Sequence, residues 1–100
     1  MELKELLESV REQNLTKTRL EELWTEFLNL YSTTELRIGT LEKLEAIFLD
    51  SSEEKTDAAR KRKWSVIPEG QELITLKRQS KVLEKQLSAI KHRIYSFVAY

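Results

Sequence analysis

A 100-residue chain with 40% apolar and 34% charged side chains, two glycines and one proline has the composition of long helices rather than of a sandwich or barrel. The absence of cysteine excludes a disulfide framework and any thiolate metal site. Net charge is zero but divided, with seven Lys/Arg against fourteen Asp/Glu in residues 1–59 and ten against three in residues 60–100. Two halves of opposite sign either attract each other across a helix pair or form a basic binding half with an acidic counterweight.

The first predicted element is a helix over residues 2–13, where Leu3, Leu6, Leu7 and Val10 repeat at the spacing of one apolar stripe. So short a helix is marginal in water and has to dock on something. The same segment is acidic and has no apolar core of a leader peptide, and no run in the chain approaches the roughly 20 apolar residues that cross a bilayer. A soluble, cytoplasmic protein without membrane contact is the expectation. In that setting the sequon Asn14-Leu15-Thr16 is a chance match.

A second helix is predicted over 16–49. Thr16 serves as N-cap with Leu15 and Leu20 as a hydrophobic staple, and Thr18 with Glu21 offers a competing start. Read in heptads, its seam runs Leu20, Leu23, Phe27, Leu30, Thr34, Arg37, Leu41, Leu44 and Phe48, with Trp24 beside it. Gly39 either bends this helix or admits a neighbouring backbone.

Residues 50–70 read as a basic connector and turn. Ser51 and Glu54 have helix-start spacing, a short helix can follow over 57–63, and Trp64 to Ile67 prefer an extended path. Ile67-Pro68-Glu69-Gly70 fits a type I turn. The last helix, predicted over 71–98, carries Leu73, Leu76, Ser80, Leu83, Leu87, Ile90, Ile94 and Phe97 in unbroken steps of three and four.

Folding the chain at 50–70 pairs the two seams. The expected fold is therefore all-α: one domain built as a long, coiled-coil-like antiparallel helical hairpin with a short N-terminal amphipathic helix. The expected register sets Phe48 beside Leu73, Ser80 beside Leu41 and Leu44, Thr34 beside Leu87, Phe27 beside Ile94, and Arg37 within reach of Glu84. Apolar residues off the seam, including Leu36, Ile47, Ile74, Val82, Tyr95 and Tyr100, leave surface for a homo-oligomer that buries the terminal YSFVAY.

Catalytic chemistry finds little footing. His92 stands between Lys91 and Arg93, Gly39 and Gly70 are too isolated for a phosphate loop, and Glu21-Glu22 and Glu53-Glu54 read as solvated helix surface. The expectation is a non-enzyme with no catalytic or metal residues, no cofactor and no small-molecule substrate. It would self-associate through its seams and bind a protein partner. A second reading makes it a nucleic-acid accessory protein. Arg60, Lys61, Arg62 and Lys63 would meet phosphates, Trp64 would stack on a base, and Lys77, Arg78, Lys81 and Lys85 would extend the cationic side of the last helix. The structural alternative makes the four cations an exposed helix end and has Trp64, with Val66 and Ile67, cap the end of the hairpin core. The layout, long helices around a basic stretch, resembles small phage recombination accessory proteins that oligomerise on single-stranded DNA. It equally resembles adaptor and inhibitor proteins that present a helical surface.

Overall fold

The structure is a computed structural model that describes residues 2–12 and 15–98. The expected end of the first helix at Gln13, the break at Asn14 and the terminal Tyr100 lie outside the described residues. Those residues form four α-helices and no strand: α1 (Leu3–Val10), α2 (Lys17–Ser51), α3 (Asp57–Val66) and α4 (Pro68–Val98). The fold is an antiparallel helical hairpin of α2 and α4 with the short amphipathic α1 at its start. It divides into two compact units, Met1–Thr33 with Lys81–Tyr100, and Thr34–Ser80.

In the first unit α2 starts as its sequence signals. Thr16 Oγ1 accepts the Arg19 backbone N–H at 3.1 Å, and Leu15 and Leu20 are both buried, which is a cap with its staple. Leu6 of α1 is fully buried with Leu20, Leu23, Phe27, Leu83 and Ile90, so the helix too short to stand alone is held by a shared core. Two polar contacts frame that core. Arg93 donates to the Val10 carbonyl at 3.0 Å, placing a cation on the C-terminal end of α1, and the Tyr31 hydroxyl donates to Glu84 at 3.0 Å.

The second unit encloses Ile38, Leu41, Trp64 and Leu73, with Phe48, Ile67 and Leu76 packed against them. Its register differs from the expected one. Gln79 donates to Thr34 Oγ1 at 2.9 Å, the Ser80 hydroxyl donates to Glu35, and Arg37 makes a two-point pair with Glu72 at 2.8 and 2.9 Å. Thr34 thus meets α4 about one heptad nearer its N-terminus than Leu87. The cause is the connector. It is folded as α3 and supplies Trp64, whose ring lies 5.6 Å from Phe48, to ground that the first turns of α4 were expected to cover. Ile38 takes the core position expected for Arg37, whose charge points out to Glu72.

The path through residues 64–70 is also corrected. Trp64, Ser65 and Val66 complete α3, only Ile67 is extended (φ −81°, ψ 157°), and Pro68 opens α4 in place of a type I turn. Proline suits the first position of a helix because its missing N–H would have no partner there, and it forces the residue before it to be extended. The intrinsic β-preference of Val66 yields to the burial of its neighbour Trp64. Likewise α3 is capped by Thr56, whose side chain accepts the Ala59 N–H at 3.2 Å, not by Ser51, whose hydroxyl turns back to the Ile47 carbonyl at the end of α2.

The two glycines have opposite meanings. No glycine has positive φ. A Cβ on Gly70 would lie 1.8 Å from the Trp64 carbonyl oxygen, so glycine is what lets α4 start against the end of α3. A Cβ on Gly39 would meet nothing within 4 Å. In urea denaturation at dilute protein, Gly39→Ala is expected to stabilise by up to about 1 kcal/mol, while Gly70→Ala destabilises despite the same gain in helix propensity. Equal effects at the two sites would refute this assignment.

Candidate functional site

The basic cluster lies on α3 in the second unit, and its four cations are not equivalent. Arg60 is half-buried; its Nε donates to the Glu54 carbonyl at 2.8 Å and its Nη1 lies 3.9 Å from Asp57. Lys63 is 2.6 Å from the Glu54 carboxylate. One acidic residue before the helix therefore holds two of the four basic groups by its backbone and its side chain. That bond holds the Glu54 carboxyl below the usual carboxylate range, and the same partner raises Lys63 above the usual lysine value. A surface depression lined by Glu54, Ala59, Arg62, Lys63 and Val66 mixes both signs with apolar carbon, unlike a phosphate cradle, which presents donors alone.

Lys61 and Arg62 are exposed, as are Lys77 and Arg78 on α4, and among the described residues none of these four has an ion-pair partner within 4 Å. Lys81 and Lys85, also exposed, belong to the first unit. Of the two roles open to Trp64 in the sequence, the structure shows the core residue and not the stacking platform. It is 5% exposed and packed among Ile38, Leu41 and Leu73, so its face is not open to a base. Its sequence position beside four cations suggested a contact. Its physical position is the inward side of an amphipathic helix whose outward side carries those cations.

Most of the seam is spent inside the chain. Leu20, Leu23, Phe27, Leu41, Leu73, Leu83 and Ile90 are buried, and Trp24, Leu30, Phe48, Leu76, Leu87 and Ile94 are partly buried against the two cores. Leu44 and Phe97 depart from the expected seam and are exposed. The core also takes Leu6 from the expected stripe of α1, Leu15 from the expected staple, and Ile38, the apolar neighbour of the charged seam position Arg37. Outside the cores stand exposed apolar side chains: Leu36 at 76%, Val66 at 67%, Ile47 at 63% and Tyr95 at 57%, the last beneath Lys91, whose Nζ lies 5.7 Å from the ring.

Among the described residues no group of three His, Cys, Asp or Glu side chains could hold a metal ion, and His92 is exposed. No described helix is long and apolar enough to cross a membrane.

The surface pairs give a pH dependence of defined sign. Glu72 is held below the usual carboxylate range by its hydrogen bond from Arg37, as Glu54 is by Lys63. A carboxyl with a lowered folded value adds stability that is fully present above the unfolded value and is lost as pH falls through the folded one. The difference in thermal midpoint between the wild type and Glu72→Gln is therefore expected to be constant near neutrality. It should close on acidification below the ordinary carboxylate range, and shrink with added salt because both pairs are exposed. A difference that does not change with acid would exclude the Arg37–Glu72 pair as its source.

No family model, curated protein or solved structure matches this chain.

Proposed function

We propose that the chain is a non-enzymatic helical interaction protein that self-associates and binds a protein partner through the outer faces of its helices. The supporting observation is the exposure of large apolar side chains on helices whose seams are already occupied, with Leu36 and Ile47 the clearest pair. A fully solvated leucine gains nothing for the monomer, and burying it in a contact would gain about 1.5–3 kcal/mol. Self-association therefore falls to these outer positions rather than to the heptad seams. Charge does not oppose it, since the second unit carries nine basic and nine acidic side chains.

The second reading, nucleic-acid binding, keeps one specific support in the unpaired Lys61, Arg62, Lys77 and Arg78. With Trp64 in the core it reduces to phosphate contact without base stacking, which is weak and steeply salt-dependent.

Sedimentation velocity at micromolar concentration is expected to show a reversible dimer or higher oligomer. The double variant Lys61→Glu, Arg62→Glu should leave that oligomer intact. A strictly monomeric wild type would overturn the self-association. Tight oligonucleotide binding in physiological salt, abolished by the double variant, would move the function to the second reading.

A further inference from the structure

We infer that the outer side of α3 docks an acidic, amphipathic peptide segment of a different protein, with Arg62 taking a carboxylate and Val66 an apolar side chain. The inference rests on the proposed reading of the chain as a partner-binding protein and names the surface and the chemistry of that partner.

At about 100° per residue, Ala59, Arg62, Lys63 and Val66 fall within a sector about 100° wide, and Trp64 lies about 150° from its middle. Trp64 is packed in the core, so this sector is the side of α3 turned away from it. With Glu54 the four residues line an open depression of about 380 Å³. Val66 in it is 67% exposed. Valine is a weaker helix former than alanine, leucine or lysine, and here it gains no burial, so neither propensity nor packing accounts for it.

The charges in the depression leave one position open. Lys63 is taken by the Glu54 carboxylate at 2.6 Å. Arg62 is exposed and, among the described residues, has no ion-pair partner within 4 Å. The site therefore carries one uncompensated cation, and its planar guanidinium offers paired donors that fit a carboxylate at two points. Val66 follows Arg62 by four residues, about 6 Å along the helix. A segment that carries an acidic and an apolar side chain one helical turn apart satisfies both.

The same residues disfavour other occupants. A phosphodiester backbone gains nothing from Ala59 and Val66 and brings its charges against Glu54. A second copy laid on this stripe about a twofold axis sets Arg62 and Lys63 against their own equivalents, since they stand at its middle. An open depression with a charged rim encloses too little of a small molecule to hold it.

The test uses fluorescence anisotropy in physiological salt with three labelled synthetic peptides. The first repeats Glu-Glu-Leu-Leu, the second has serine in place of leucine, and the third has lysine in place of glutamate. The first is expected to bind the wild-type chain at least about tenfold more tightly than either of the others. Arg62→Glu and Val66→Asp should each weaken it at least about tenfold. Both side chains are exposed, so both variants are expected to keep the circular dichroism spectrum and melting of the wild type. Lys43→Glu, which makes the same charge change on α2, should alter binding less than about twofold.

Failure of the first peptide to bind overturns this face. So does binding that survives serine in place of leucine, that Lys43→Glu weakens as much as Arg62→Glu, or that an oligonucleotide displaces in the same salt. Each of these means attraction to charge alone. Sedimentation of the same samples keeps the two readings apart. An oligomer that ignores the peptides leaves self-association standing without this face, and a monomer that binds the first peptide as expected leaves the face standing without self-association.

Discussion

The register of α2 against α4 in the second unit turns on a small polar layer. Thr34 and Ser80 are the only buried polar residues among those described, and each is satisfied across the helix pair, by Gln79 and by Glu35. A buried hydroxyl without a partner costs about 1–3 kcal/mol, more than a typical hydrogen bond contributes when made. Sliding α4 by a heptad would set both hydroxyls against leucine. Apolar heptads are nearly interchangeable by a shift of seven, so leucines alone do not choose between registers. The polar members do.

Much of the second unit follows from that choice. With α4 meeting α2 at Ile38 and Leu41, the ground beside Phe48 is free for another side chain, and Trp64 takes it. Burying Trp64 requires the connector to be a helix with its cations outward, and it draws the end of α3 so close to the start of α4 that residue 70 has to be glycine. Glu54 then clamps Arg60 and Lys63, fastening the connector to its own helix. The basic cluster is in the first instance the wet side of a core-forming helix. Its remaining capacity for partners lies in Lys61 and Arg62.

The same economy explains what is left outside. A short chain has few apolar residues to spend, and here two cores take most of the seams while Leu36, Ile47 and Val66 stay exposed. Helix surfaces are normally charged because exposed carbon gains nothing there. Leu36 and Ile47, three turns apart on the outer side of α2, contribute to neither core.

Helical periodicity, the Thr16 cap with its Leu15–Leu20 staple, the apolar stripe of α1 and the unbroken seam of α4 were all legible in the sequence. They depend on neighbours within a turn or two, where backbone geometry leaves little freedom. So was the existence of apolar positions off the seam. The register, the helical state of Trp64 to Val66 and the exchange of Arg37 for Ile38 in the core belong to the tertiary structure. Each depends on which of several equivalent helical surfaces meet, and that is settled by pairing a few polar groups and filling one volume beside Phe48. Those are contacts between residues 16 to 45 positions apart, which no local pattern encodes.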